Sequence, residues 1–248
     1  KEIHLMTAEP RLRSIAKDFV GHYSDLWTSG KAMFVCLNKV TCVRMYNYVQ
    51  EYWGKEIERL KGLLKVATQQ EAQELARKID WMEKTEMAVV VSQEQNEIQT
   101  FKKWGLDIKY HREKMEKREL DKEFKDAENP FRVVFVCAMW LTGFDVKCLS
   151  CLYLDKPLKA HTLMQTIARA NRVSEGKSNG LIVDYIGIVK ALRKALADYT
   201  ANAGGDGGTD PTVDKEKLIA RILETIDKAK NFLLQKGFTL GDLIAARD

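Results

Sequence analysis

FRVVFVCAMWLTGFDVKCLSCLYLDKPLKAHTLMQTIARANRVSEGKSNGLIVD, residues 131 to 184, is the stretch that decides the fold. It holds three apolar runs, Phe131 to Cys137, Leu149 to Leu154 and Gly180 to Asp184, each suited in length to a strand. Between the last two lies a helix-patterned stretch from about Lys159 to Val173. Just upstream, Asn129 and Pro130 close a charged helical block, because the residue before proline is pushed out of the helical region and proline cannot continue a helix. Two more buried runs precede it: Ala32 to Leu37, led by Gly30 and Lys31 and closed by Asn38, and Met87 to Val91. A long helical stretch from Thr41 to about Lys84, with a break near Gly62 or Thr68, separates these two. Strands alternating with helices imply crossovers and a mainly parallel sheet covered on both faces, hence an α/β fold.

Outside this frame, Leu12, Ile15, Ala16, Phe19, Val20 and Tyr23 recur at helical spacing and predict an amphipathic helix. The segment GGDGGTDP, residues 204 to 211, has nothing to bury and reads as a flexible linker. Beyond it, Leu218, Ile222, Ile226, Ala229 and Leu233 mark a second amphipathic helix. The expected organisation is an α/β domain over 1–203, a linker over 204–211 and a helical extension over 212–248, with no internal repeat.

A chain of 248 residues, 45% hydrophobic and 30% charged, can bury one substantial core or two modest ones, which excludes disordered and collagen-like classes. No apolar run approaches the roughly 18 to 20 residues needed to cross a bilayer, and the N-terminus lacks the order of a signal peptide, so the expected location is cytoplasmic, away from membranes. Five cysteines, Cys36, Cys42, Cys137, Cys148 and Cys151, form an odd set scattered through apolar stretches and read as reduced core thiols. Cys148 and Cys151 make a CxxC, but no second ligand pair follows, so no metal site is expected. Forty Lys and Arg against 35 Asp and Glu give a net charge of +5, which permits a polyanionic partner without requiring one. The richest block, Lys102 to Asp126, interleaves acids with its bases and reads as a solvated helix face.

Two constellations can carry chemistry. In QTIARANR, Gln165, Arg169 and Arg172 fall within about 60° of one another at 100° per residue, while Leu163, Ile167 and Ala170 cluster on the opposite side. Exposed arginines can serve solubility alone. The planar, permanently charged fork also binds phosphate at two points and stabilises charge on a transferring phosphoryl group, and a neighbouring Gln can orient a phosphate or a water. The second constellation is VVFVCAMWLTGFD, Val133 to Asp145, in which a buried strand gives way to a loop and Gly143 permits a positive φ or close backbone approach beside Asp145. Loops at the carboxyl ends of parallel strands are where open α/β sheets bind ligands, although an Asp-capped turn with a steric glycine would look the same.

Together the two segments resemble the superfamily 2 helicases and translocases. Motif V of that family follows a core strand and ends in Gly-x-Asp, matched by Gly143, Phe144 and Asp145. Motif VI reads Gln-x-x-Gly-Arg-x-x-Arg, matched by Gln165 to Arg172 with Ala168 in place of the usual Gly. Phe34 to Lys39, within MFVCLNK, looks like motif IV, and order and spacing agree across residues 31 to 185. The wording of MWLTGFD, YLDKPLKAHTLMQTIARANR and GLIVDYIGI is similar to the motor region of type I restriction R subunits. Cys137 stands where many relatives have Thr and Thr142 where many have Arg, which leaves open which loop groups touch ATP and which touch DNA.

No P-loop is present: the one GKS, Gly176 to Ser178, has Asn171 at the required Gly position and follows a helix. No Asp-Glu pair offers a magnesium carboxylate, and the chain starts at Lys1 without an initiator Met, consistent with an excised fragment. The resemblance accounts for the missing P-loop, because in such motors it belongs to the first RecA-like lobe. It implies a second RecA-like domain, a mainly parallel sheet flanked by helices with a C-terminal helical appendage, acting as half of an ATP-dependent translocase on double-stranded DNA. ATP and Mg²⁺ would be held mainly by the absent first lobe, so that this chain alone hydrolyses nothing. Arg169 and Arg172 would be arginine fingers, Gln165, Gly143 and Asp145 would face ATP, and Asn38, Lys39 and Thr142 would meet the DNA backbone. Implied partners are the first lobe and nuclease domain of the same subunit and separate methylation and specificity subunits. Two rival readings are another superfamily 2 DNA or RNA helicase and a catalytically inert RecA-like docking scaffold.

Overall fold

KAMFVC, residues 31 to 36, is buried at all six positions and forms the central strand β1 (Lys31–Cys36) of the computed structural model. The structure describes residues 2–141, 143–159, 162–163, 165–167, 180–188, 190 and 215–235. Along the chain come α1 (Glu2–Met6), α2 (Glu9–Asp25), β1, α3 (Lys39–Leu64), α4 (Gln69–Lys84), β2 (Glu86–Val90), α5 (Glu97–Lys102), α6 (Lys109–Lys117), α7 (Leu120–Lys125), β3 (Phe131–Val136), β4 (Leu149–Asp155), β5 (Leu181–Asp184) and α8 (Lys215–Gln235). The five strands pair in the order β2-β3-β1-β4-β5, and every pairing is parallel. The α/β class read from the alternation of runs is therefore what the chain builds. The chain divides into two units, Lys1–Ile188 and Val189–Asp248; the linker expected at 204–211 lies outside the described residues.

Alternation along the strands assigns the two faces of the sheet. Ala32, Phe34 and Cys36 of β1, with Val133 and Phe135 of β3 and Tyr153 of β4, share a core with Leu12, Phe19 and Tyr23 of α2 and with Val43, Met45 and Val49 of α3. Phe19 is the hub, with ring centroids 5.5 Å from Phe34, 6.2 Å from Phe135 and 4.6 Å from Tyr153. Polar tips inside this core find partners: the Tyr23 hydroxyl donates to the Gly30 carbonyl at 2.8 Å, and His22 Nδ1 shares a proton with the Tyr153 hydroxyl at 2.7 Å. On the other face the Lys31 ammonium lies over the ring of Phe124 and donates to the Glu123 carbonyl at 2.9 Å. Phe124 in turn packs against Phe131 and Trp140.

Local chemistry sets the breaks. Asn38 caps α3, its side-chain oxygen accepting from the Thr41 N–H at 2.9 Å. The helix ends at Leu64, and α4 starts after Thr68, whose own N–H donates to the Glu71 carboxylate at 3.0 Å, so the break falls between the two positions the sequence offered. Gly30 has φ +116°, and a Cβ there would meet the Cys148 carbonyl at 2.9 Å as well as the Ser150 side chain, so only glycine lets the chain enter β1 beside β4. The charged block 102–126 is not one solvated face: it contributes to three short helices, anchored by buried Phe101, Ile108, Leu120 and Phe124. None of the five cysteines forms a disulfide; Cys151 is buried and Cys148 half-buried.

His111 on α6 carries a stability switch. It is 3% exposed, its Nδ1 has no hydrogen-bond partner among the described residues, and it stands edge-on to Tyr46 at 4.8 Å. Burial, aided by the charge of Lys114, lowers its pKa from 6.5 to about 4. Since the unfolded chain takes up this proton first, stability is complete above about pH 6.5 and falls between 6.5 and 4, by on the order of 3 kcal/mol. Urea denaturation at pH 7.5 and pH 4.5 should show this loss in the parent and a clearly smaller one in His111→Phe. An identical loss in both would place the acid sensitivity elsewhere.

Candidate functional site

The carboxyl edge of the sheet is where the strand connections part. From β1 the chain enters α3, which covers the Phe34 face, whereas the connection from β3 to β4 brings Trp140, with Phe144 stacked on it, against Phe124 on the opposite face. At such a divergence, beyond the carboxyl ends of the strands, open α/β sheets in general take their ligands. Lys39 follows β1 into this region, Cys137 follows β3, Asp155 ends β4 and Lys156 follows it.

Lys39 opens α3, and its ammonium pairs with Glu94 at 2.6 Å, which ties the loop after β2 to the N-terminus of α3. The oxygen of Asn38 is spent on the cap, with a second bond from the Thr41 hydroxyl at 3.0 Å. In the loop after β3, Trp140 sits at φ +67°, an unusual conformation for a bulky residue, with its ring stacked on Phe144 at 4.1 Å. Gly143 follows at φ +73° with open space where a Cβ would point, so the glycine serves backbone conformation and not close packing. Asp145 next to it is exposed. Thr142 lies outside the described residues.

After β4 the chain turns helical. Leu163, Thr166 and Ile167 are buried, at 1%, 1% and 4% exposure, while Gln165 is exposed, which is the division of faces expected from spacing. Thr166 loses its polar end inside the helix by donating to the Thr162 carbonyl at 2.7 Å. Arg169 and Arg172 lie outside the described residues.

The structure adds groups at this edge that the motifs did not name. Asp155, 1% exposed, accepts from Arg11 of α2 at 2.5 and 3.2 Å. Burial raises its pKa and the guanidinium opposes that shift; the same Arg11 donates to the Met6 carbonyl at 2.8 Å and the Tyr185 carbonyl at 3.3 Å. Lys156 donates to the Cys137 carbonyl, joining the ends of β3 and β4 across β1. Arg112 grips Glu97 at 2.6 and 2.7 Å and the carbonyls of Val91 and Ser92, fixing the exit from β2. Hydrogen bonding by Arg112 holds the Glu97 carboxyl below its usual range. A run of apolar neighbours could not have revealed these pairs; the only sequence signal was a charged residue next to a buried strand.

A cavity of about 530 Å³, lined by Leu60, Leu63 and Leu75 among others, lies between α3 and α4 beside Trp27, on the side where the chain enters β1, and holds none of the candidate groups. Among the described residues no group of three or more His, Cys, Asp or Glu could hold a metal, and no helix is long and apolar enough to cross a membrane.

Residues 28–187 match the family model described as type I restriction enzyme subunit R domain 3. The chain is 36% identical over 209 residues to the type I restriction enzyme HindI endonuclease subunit of Haemophilus influenzae, covering 81% of this chain and 17% of that protein. It is also 36% identical over 230 residues to the putative type I restriction enzyme MjaIXP endonuclease subunit of Methanocaldococcus jannaschii, covering 92% of this chain and 19% of the relative. Among solved structures, a fragment of a putative HsdR subunit of a type I restriction enzyme from Vibrio vulnificus aligns over 77% of this chain and 32% of that one, with 16% identity and a TM-score of 0.44. The chain thus spans under a fifth of the length of these two curated relatives. With its all-parallel sheet, the loop turned at Gly143 and the helix exposing Gln165 all inside the matched segment, this chain belongs to the type I restriction enzyme R-subunit family, as its domain 3.

Proposed function

We propose that this chain is the second motor lobe of an ATP-dependent double-stranded DNA translocase within a type I restriction endonuclease. The observation that carries the proposal is the exposure of Gln165 on a helix otherwise buried through Leu163, Thr166 and Ile167, directly after β4 of a parallel sheet. A polar side chain held on a rigid core helix at a strand's carboxyl end suits a nucleotide shared with a neighbouring lobe. Arg169 and Arg172, four and seven residues further on, fall on the same face if the helix continues.

The residues present fit one side of a nucleotide and not the whole of it. Gly143 leaves open space, and Asp145 and Gln165 offer polar contacts, but no P-loop cradles phosphates, so that task and the magnesium belong to the first lobe. Bound there, ATP supplies the free energy for movement. This chain contributes guanidinium groups to the charge that develops on the γ-phosphoryl, and it grips the track. Lys39, with Asn38 and Thr142, contacts backbone phosphates, because movement along any sequence depends on phosphates and not on base edges. A phosphate at Lys39 would compete with Glu94 for the ammonium, so grip and release can exchange one oxyanion partner for another. In the complete enzyme this translocation would drive cleavage by a nuclease domain, while methylation and specificity subunits choose the site.

The proposal is tested on the full-length subunit assembled with its partners, using a triplex-forming strand bound downstream of the recognition site. Displacement of that strand is expected with ATP and on duplex DNA only. Displacement without ATP, or none despite ATP hydrolysis, would remove the motor role.

A further inference from the structure

The segment KKWGLDIKY, residues 102 to 110, joins α5 to α6 and combines firm anchoring with unusual exposure. Phe101 and Ile108 are 2% and 1% exposed, the Leu106 N–H donates to the Phe101 carbonyl at 3.1 Å, and Arg112 clamps α6 to the exit from β2. Yet Trp104 and Tyr110 between and beside these anchors are 57% and 52% exposed. An anchored hairpin holds the exposed indole and phenol in fixed positions, where a partner can meet them.

Charge says what kind of partner that is. On the outer faces of the helices nearby, lysines are matched by carboxylates: Lys55 with Glu51, Lys61 with Glu58 and Glu83, Lys84 with Asp80, Lys117 with Glu113. Lys102, Lys103 and Lys109 are exposed and make no ion pair with any described carboxylate. Of the acids around them, Glu9 pairs with Arg13, Glu94 with Lys39 and Glu97 with Arg112; Asp107, which accepts from the Lys109 N–H at 2.8 Å, keeps its charge, so the three lysines still outnumber the carboxylate left among them. Arg44 of α3 closes the group. Its guanidinium lies 5.6 Å from the Trp104 ring and 5.9 Å from the Tyr48 ring, and with Glu9, Asn47 and Leu106 these residues line a cleft of about 220 Å³. Unmatched cations around an exposed aromatic ring complement a polyanion that also has flat, partly apolar surfaces, which is the chemistry of a nucleic acid.

The position agrees. Arg44 is five residues from Lys39, about 8 Å along α3, and the Lys39–Glu94 pair joins that helix to the loop that leads into α5. We propose that the α5–α6 hairpin and Arg44 form a second nucleic-acid contact, in which Lys102, Lys103 and Lys109 meet backbone phosphates and Trp104 lies against a sugar or base. This rests on the motor reading and extends its track sideways from Asn38 and Lys39 over the flank of the lobe.

The test titrates this chain against labelled duplex and single-stranded oligonucleotides of equal length over a salt series, following anisotropy and tryptophan emission. The triple variant Lys102→Gln, Lys103→Gln, Lys109→Gln should bind at least tenfold more weakly at 0.1 M salt, with a salt slope smaller by up to about 2.7. Trp104→Ala should weaken binding about fivefold or more, lose the emission change and keep the salt slope. Stronger binding to the duplex places the contact on the translocated DNA, and stronger binding to the single strand assigns it to a displaced strand. If Lys39→Gln weakens binding while both hairpin variants bind as the parent does, the hairpin contact is overturned and the motor reading stands. If the parent binds neither oligonucleotide, the hairpin contact is overturned, and strand displacement by the full-length subunit decides the motor reading separately.

Discussion

Arg172→Ala in the full-length subunit is expected to lower DNA-stimulated ATP turnover by about 10³-fold or more, with little change in the concentration of ATP required. The expectation follows from where the described part of the helix points. Leu163, Thr166 and Ile167 face inward and Gln165 faces out, so a residue seven positions after Gln165 returns to within about 20° of it at 100° per residue. In the proposed motor a guanidinium there would meet charge that grows on the phosphoryl group only as the bond breaks, and such interactions raise turnover more than they raise affinity. Arg172→Lys should rescue little, because an ammonium cannot reproduce the planar two-point fork. Steady-state ATPase with saturating duplex is the measurement. Turnover unchanged from the parent would hand the chain to the inert-scaffold reading.

Arg11→Met should destabilise the fold by about 3 to 5 kcal/mol, as is typical when one partner of a buried ion pair is removed. Asp155 is 1% exposed, and its bidentate bond to Arg11 spans 144 residues of sequence. Without the guanidinium the carboxylate is left in an apolar setting where burial already raises its pKa, and it must take up a proton or admit water. Arg11 also binds the carbonyls of Met6 and Tyr185, so its loss loosens the N-terminal helices and the exit from β5 together. The double variant Arg11→Met, Asp155→Leu should regain much of the loss, since an apolar pair of similar volume avoids the stranded charge. Urea denaturation of the three proteins at pH 7.5 reads the difference. A cost under about 1 kcal/mol for Arg11→Met would show that water reaches Asp155 in the native protein.

The strands were legible because each is a short continuous apolar run: KAMFVC, FRVVFV and LSCLYLD are buried at nearly every position, as strands in a covered parallel sheet must be. The long helices were legible from periodicity, and the break between α3 and α4 from a glycine and a threonine. Of the site, the turn at Gly143 and the outward face of Gln165 were open to reading, because one depends on a single residue's backbone freedom and the other on angular spacing. Asn38 shows the limit. The residue type fits both a helix cap and a phosphate contact; in the fold its oxygen accepts from Thr41, so that only its amide NH2 is left to donate to a phosphate, a division spacing does not reveal. Arg11 with Asp155 and Lys156 with the Cys137 carbonyl were not legible at all, since no local period relates residues brought together by the crossing of strands. The hairpin around Trp104 was hidden differently, inside a block whose balanced composition conceals which lysines have an acid within reach.

The central place of β1 governs how the chain can be made. It pairs with β3 and β4, and its last residue lies opposite Asp155, roughly 120 positions later. At about 5 to 20 residues per second on a ribosome, KAMFVC therefore waits some 6 to 24 seconds with one or both of its edges unsatisfied. α2 and α3, synthesised immediately before and after it, can cover one of its faces early, and Phe19 against Tyr23 and Phe34 supplies aromatic contact there before Phe135 and Tyr153 have been made.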